Sequence, residues 1–213
     1  LQLSIDRKEH TGDDSERSIM TQICSLAEGL PIPKRLKSHY TPDYNAFQPG
    51  SIIRCKLSNF MSYTLTEFHF GPRMNLIIGP NGSGKSTFVC AVCIGLGGKL
   101  SNLGKESMIT DGFIKDNKNE ARIELEIKAF ENDLGQNSVI IATKLLRKRK
   151  TLWEINHQPA SENDIKKLLK SFNIQLDNLC QFLPQDRVSK FAELKSEDLL
   201  KEIERSYKNG ELL

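Results

Sequence analysis

Residues Gly79-Pro80-Asn81-Gly82-Ser83-Gly84-Lys85-Ser86-Thr87 follow the pattern G-x-x-x-x-G-K-[ST]. No other stretch narrows the fold as much. Such a phosphate-cradling loop (P-loop) works only between a buried strand and the start of a helix. Both are legible around it. Met74 to Ile78 is a short, almost purely apolar run, the pattern of a central strand covered on both faces. Phe88 to Ile94 has helical, apolar character. The chemistry explains the residue types. Gly79, Gly82 and Gly84 let the backbone wrap closely and turn N–H groups toward phosphate oxygens. A helix starting at about Gly84 puts its positive dipole end at the anion. Lys85 reaches the β- and γ-phosphates, Ser86 offers a hydroxyl to Mg²⁺, and Thr87 adds a phosphate hydrogen bond. Pro80, Asn81 and Ser83 complete the loop. The expected fold class is α/β, a P-loop nucleotide-binding domain with ATP and Mg²⁺ as cofactors.

The strands around the loop are read from period. Ser51 to Leu57 and Tyr63 to Phe70 form a strand pair, with Gly71-Pro72 as a turn. Ala121, Ile123, Leu125, Ile127 and Ala129 alternate with Arg122, Glu124, Glu126 and Lys128, a half-buried strand. Ser138 to Leu146 and Thr151 to Ile155 are two further strands, and Asn156 to Ala160 is a turn. Ser161 caps a helix, with Asp164 three positions on and Ile165, Leu168, Leu169 and Phe172 as its apolar face. Ser196 begins another helix, with Leu199, Leu200 and Ile203 on one side. The sheet is expected to be mixed, with β-hairpins beside the P-loop strand.

Residues 1–46 differ from the rest. They carry six basic and seven acidic residues, Pro31, Pro33 and Pro42, and several Ser and Thr, which reads as a disordered tail. Ile19, Ile23 and Leu26 have helical spacing within it. Lys34, Arg35 and Lys37 are a weak nuclear-import pattern.

Composition excludes little by itself. The 213 residues hold 30 Lys+Arg against 27 Asp+Glu. A net charge of +3 does not mark a nucleic-acid binder. No run approaches the ~20 apolar residues of a membrane helix, so no membrane partner is expected. Five cysteines at irregular spacing make no disulfide framework. Cys90 and Cys93 form a C-x-x-C inside the apolar helix and read as core rather than as a metal or redox pair. The first residue is Leu, so the chain reads as a fragment.

A P-loop alone does not hydrolyse ATP. It needs a carboxylate for Mg²⁺ at the end of a second apolar strand, and a group that orients water. No four apolar residues followed by Asp occur after Thr87. Val139 to Ala142 is apolar, but Thr143 and Lys144 follow. Half of an active site is therefore expected here. A small-molecule P-loop kinase and a non-enzymatic module are the alternatives. The strand pair ahead of the loop argues against the kinase.

The GPNGSGKST loop, the upstream Leu57-Ser58-Asn59-Phe60-Met61-Ser62-Tyr63 and the downstream run Asn173 to Val188 resemble the ATPase heads of the structural maintenance of chromosomes (SMC) family. The resemblance covers roughly Phe47 to Lys208. It implies the N-terminal lobe of an ABC/SMC-type head over 47–195, with 196–213 as the start of a coiled-coil arm. It implies that the first hairpin lies near the nucleotide base. It implies that Gln185 is the Q-loop glutamine, which helps hold Mg²⁺ and the attacking water. The missing Asp-containing strand, signature loop and catalytic Glu belong to the other half of the head, so ATP hydrolysis is expected only of the full-length protein in its complex. Partners implied are the C-terminal half of the same head, a second SMC subunit in a heterodimer, non-SMC subunits and DNA, at chromosomes in the nucleus. SMC heads often carry an Arg after the P-loop helix. Lys105 is the only basic candidate in Gly104-Lys105-Glu106-Ser107, and Lys lacks the planar fork of Arg. Lys144, Arg147, Lys148, Arg149 and Lys150 form a basic connection and the candidate DNA-phosphate contact.

Overall fold

The computed structural model describes residues 42–105, 109–130, 137–148 and 150–207. The tail features around Ile19 and Lys34, together with Cys24 and Arg149, lie outside the described residues.

Alternating patterns produce the sheet. Strands β1 (Ile52–Phe60), β2 (Tyr63–His69), β3 (Glu120–Lys128), β4 (Ser138–Leu146), β5 (Leu152–Ile155) and β6 (Gln158–Ala160) pair in the order β2-β1-β3-β4-β5-β6. Every described pairing is antiparallel. Asn156 and His157 both have positive φ, 49° and 66°, and turn β5 into β6. Two left-handed residues between paired strands make the kind of hairpin turn that follows strand twist. The sequence shows only the turn there; β6 is added by the structure.

One sheet face is apolar and the other charged, as an antiparallel sheet with a single packed face should be. Ile53, Cys55 and Leu57 of β1, Ile123, Leu125 and Ile127 of β3, and Ile141 and Leu145 of β4 are buried. All of these except Ile53 form one core with α1 (Lys85–Gly95) and α2 (Glu162–Ser171). Cys90 and Cys93 of α1 are buried free thiols in that core. Burial pushes the Cys93 thiol up to about 12, so it stays protonated and inert. No group of His, Cys, Asp or Glu among the described residues could hold a metal ion.

The C-terminal end of α1 comes very close to the sheet. A Cβ on Gly95 would stand 2.7 Å from Ile123 Cγ2 and 2.9 Å from Leu125 Cδ1. The Thr143 hydroxyl, fully buried, donates to the Gly95 carbonyl at 3.0 Å. Only glycine lets helix and sheet approach this far. Helix α2 starts as expected: Ser161 and Asp164 form a reciprocal capping box, and Ile165 and Leu169 are buried.

On the opposite face, Glu126 accepts from Arg54 Nε (2.9 Å), the Tyr44 hydroxyl (2.8 Å) and the Ser138 hydroxyl (2.8 Å). Tyr44 belongs to a 3₁₀ turn, Tyr44–Ala46, capped by Asp43. Residues 43–46 are therefore built onto the sheet. Arg122 pairs with both Glu124 and Glu154.

One expectation is overturned. Met74 to Ile78 is not a strand, and it is not buried: Met74 is 94% exposed, Leu76 76% and Ile78 53%. A central strand is buried by its sheet neighbours, and no described strand pairs with this run. Asn75 instead folds its side chain back, accepting from the Gly71 N–H at 2.7 Å and donating to the Gly71 and Arg73 carbonyls. The mixed sheet expected from sequence is an all-antiparallel one among the described residues.

The other helices follow the Q-loop candidate. Helix α3 covers Val188–Ala192 and α4 covers Ser196–Ser206.

Candidate nucleotide site and its supports

The glycines give the P-loop its shape. Gly82 and Gly84 have φ of +78° and +96°, and Lys85 opens α1 directly after Gly84. Gly84 is the N-cap and offers no side chain, so the first N–H groups of α1 are left for a ligand. Lys85 lies back along the loop, its ammonium donating to the carbonyls of Gly79 (2.6 Å) and Pro80 (2.8 Å). The Ser83 N–H donates to the Pro80 carbonyl at 3.2 Å, closing the turn through Asn81 and Gly82. Ser86 is exposed and Thr87 buried at the start of the helix. The donor set suits an anion: consecutive backbone N–H groups, an ammonium and two hydroxyls.

The first hairpin braces this loop. The Tyr63 hydroxyl donates to the Gly84 carbonyl at 3.2 Å. A Cβ on Gly84 would meet that hydroxyl oxygen at 2.6 Å and Ser62 Oγ at 3.2 Å. The hairpin tip is held from behind, where the Met61 N–H donates to the Phe113 carbonyl and the Lys115 ammonium to the Ser62 carbonyl. In the sequence Tyr63 stands out only as part of a resemblance; its bond to the P-loop needed the fold.

Gln185 opens a 3₁₀ turn, Gln185–Arg187, after the buried Pro184. Its side chain is exposed. Asp186 and Lys105 form an ion pair at 3.8 Å. Both are near enough to the Cys90 thiol of α1 to act on it electrostatically, though burial is the main cause that pushes this thiol up. The Gln185 turn therefore sits beside the P-loop helix. Lys105 faces Asp186.

A model of the AAA domain matches residues 54–211, which is most of the chain. The chain belongs to the AAA domain family. Within it, the chain is 43% identical over 186 residues to structural maintenance of chromosomes protein 5 of Schizosaccharomyces pombe, covering 87% of this chain and 17% of that protein. It is 37% identical over 166 residues to the protein of the same name from Arabidopsis thaliana, covering 78% and 15%. To structural maintenance of chromosomes protein 6 of Homo sapiens it is 31% identical over 163 residues, covering 71% and 15%. The chain thus spans 15% to 17% of the length of these relatives. Among solved structures, its fold is that of SMC heads. A chain from a study of ATP-driven dimerization and DNA-stimulated activation of SMC ATPases superposes with a TM-score of 0.62 at 21% identity, covering 72% of this chain and 98% of that one. The Smc head domain of Pyrococcus yayanosii, with a coiled coil and joint, gives 0.61 at 23%, covering 71% and 32%.

The basic connection of this AAA domain is less uniform than its sequence. Lys144 lies within β4 and pairs with Glu120 at 2.8 Å. Arg147 Nε donates to the Lys118 carbonyl at 3.1 Å. The Lys148 N–H donates to the Asp111 carboxylate, and its φ is +57°. Lys148 and Lys150 are exposed, with no ion pair to a described residue.

Four amide side chains grip the last turn of α4. Asn173 and Gln181 donate to the Ser206 carbonyl at 2.9 and 3.2 Å, Gln175 to that of Arg205 at 2.6 Å, and Asn178 to that of Glu202 at 3.0 Å. At Arg205 and Ser206 these replace the intrahelical partners that the final carbonyls lack. The family resemblance carries α4 on to Lys208; in the structure Tyr207, the residue after the helix, is extended at ψ 121°. No residue of α4 is buried, and Leu200 and Ile203 are exposed. The spacing Asn173, Gln175, Asn178, Gln181 is visible in the sequence, but nothing there says which carbonyls the amides meet.

Proposed function

We propose that this AAA domain is the ATP-binding half of an SMC head, which engages a second head in an ATP-dependent manner and acts on DNA in chromosome maintenance and repair. The observation that carries the reading is the pairing of a formed P-loop with an unpartnered strand-like run before it. Gly84, Lys85 and the Tyr63 brace present the anion site, while Met74, Leu76 and Ile78 stand exposed. Apolar residues at this spacing belong inside a sheet. The C-terminal half of the same head is the partner that would cover them. The apolar side chains of Phe88, Val89 and Val92 line a cavity with residues 70–73, Asn75 and Phe182 on the same side of α1.

ATP fits the residues present. Its phosphates would lie on the N–H groups of Gly82 to Lys85, with the Lys85 ammonium moving from the Gly79 and Pro80 carbonyls to the phosphates. Mg²⁺ favours oxygen donors, and the hydroxyl of Ser86 and the amide oxygen of Gln185 are of that kind. When bound, the ion would neutralise phosphate charge. The chain's own residues would bind and orient the nucleotide, and Gln185 would help hold the attacking water. Hydrolysis then belongs to the full-length protein in its complex, with a second SMC subunit, such as the sixth SMC protein, and non-SMC subunits. Lys148, Arg149, Lys150 and Arg147 would meet DNA phosphates. Helix α4 would stand at the base of the coiled-coil arm, and the location would be the chromosome in the nucleus.

The test compares ATP turnover by the purified 213-residue chain with that by the full-length protein in its complex. Turnover from the complex, abolished by Lys85→Ala, and none from the chain supports the reading. Robust turnover from the chain alone, or phosphoryl transfer to a nucleoside monophosphate, overturns it.

A further inference from the structure

Arg187 ties two distant parts of the chain together. Its Nη1 donates to the Ser101 carbonyl at 2.9 Å across 86 positions. Ser101 belongs to the 3₁₀ turn Leu100–Leu103, which follows α1. Arg187 closes the turn that Gln185 opens. Its Nε is buried without a hydrogen-bond partner among the described residues. A buried orphan of this kind is expensive and rare, and its retention calls for a reason. Beside it, Lys105 pairs with Asp186, and a Cβ on Gly104 would stand 3.0 Å from the Asp186 Cβ. The Gln185 turn is thus fastened to the exit of the P-loop helix by both residues that follow Gln185. The Gln185 side chain itself has no hydrogen bond to a described residue and is exposed. A held backbone with a free amide is the arrangement for a group that must present itself to a ligand in one geometry.

We propose that Arg187 is a positioning residue, which holds the Gln185 turn against the exit of α1 so that the Gln185 amide faces the nucleotide site in a set orientation. Lys105 assists by holding Asp186, and its role lies in this staple. The proposal rests on the reading of Gln185 given above. Arg187 acts through backbone placement: its guanidinium grips a carbonyl, and the turn carries the amide.

The experiment is steady-state ATP turnover by the full-length protein in its complex, with binding of a fluorescent ATP analogue as a second readout. The variants are Gln185→Ala, Arg187→Met, Arg187→Lys and the double Gln185→Ala/Arg187→Met. Arg187→Met is expected to lower kcat about tenfold, the scale typical when a supporting hydrogen bond is removed, with KM for ATP and analogue affinity unchanged. Arg187→Lys recovers part of the loss, since an ammonium supplies one bond without the fork. The double variant turns over no more slowly than Gln185→Ala, because Arg187 works through Gln185. Normal kcat in Arg187→Met while Gln185→Ala is slow overturns the staple and leaves the Gln185 reading standing. A double variant slower by the product of the two single effects overturns it as well. Normal kcat in Gln185→Ala removes the reading beneath it. If Arg187→Met does not fold, Arg187→Lys carries the test: kcat between wild type and Gln185→Ala at unchanged KM supports the staple, and wild-type kcat overturns it.

Discussion

The Tyr63 hydroxyl donates to the carbonyl of Gly84 at 3.2 Å, so the tip of the first hairpin is tied to the glycine on which the P-loop becomes a helix. Gly84 has φ +96°, and a Cβ there would meet the Tyr63 hydroxyl at 2.6 Å. Gly84→Ala should therefore suffer twice, from strain and from a clash. It should lose about 1–3 kcal/mol of stability. In the full-length protein it should also lose detectable binding of a fluorescent ATP analogue. Tyr63→Phe, which removes one hydrogen bond, should cost only about 1 kcal/mol in urea denaturation.

Lys85→Ala should leave the fold intact, because Lys85 lies outside the apolar core and its bonds to described residues go to loop carbonyls. Nucleotide affinity of the full-length protein should fall by about 10- to 100-fold, the equivalent of one hydrogen bond to a charged group. Calorimetric titration with ATP checks this, and unchanged affinity would place the phosphates elsewhere.

Glu126 makes stability depend on pH. Burial pushes its carboxyl up, but hydrogen bonds from Arg54, Ser138 and Tyr44 outweigh that and hold it below the ordinary range. Glu154 is also lowered, by its bond from Arg122. A depressed folded-state value means that the stabilisation is complete above the unfolded carboxyl value, about 4.3, and is lost as pH falls through the folded one. Urea midpoints should drop steeply below about pH 4.5. Glu126→Gln should be less stable at pH 7 and show a shallower acid limb.

Asn178 is fully buried. It accepts from the Cys180 N–H at 2.9 Å and donates to Gln175 Oε1 and the Glu202 carbonyl, both at 3.0 Å. Asn178→Ala should remove three part-buried hydrogen bonds and cost roughly 1–3 kcal/mol. Hydrogen exchange should report the release of α4 as faster exchange over Ser196–Ser206. Gln181→Ala, at an exposed end of the same clamp, should have a much smaller effect.

Charge reversal of Arg147, Lys148 and Arg149 to Glu should weaken DNA binding by the full-length protein at low salt. The slope of log affinity against log salt should shrink by about 0.9 for each phosphate no longer neutralised. Lys144→Glu should matter less, because Glu120 already neutralises Lys144. Equal affinity of the triple variant and wild type at low salt sinks the DNA assignment of this connection.

Much of the fold was legible because it is local. Alternation in Ala121 to Ala129 marks β3, and Ser161 with Asp164 marks the start of α2. The P-loop is legible because phosphate binding needs fixed residue types at fixed spacing. Met74 to Ile78 misled, because apolar content shows what a segment prefers to touch and not whether a neighbour is present. Arg187 and Asn178 were not legible, because each acts on a carbonyl far along the chain.

By itself, the sequence determined which segments could be strand, helix or anion loop, since period and glycine placement act within a few residues. Only the tertiary structure decided that Tyr63 braces Gly84, that Arg187 holds the Gln185 turn to the exit of α1, and that four amides end α4. Those bonds join residues separated by 21, 86 and 33 positions. They exist only because the folded chain brings these segments together, and no local pattern encodes that distance.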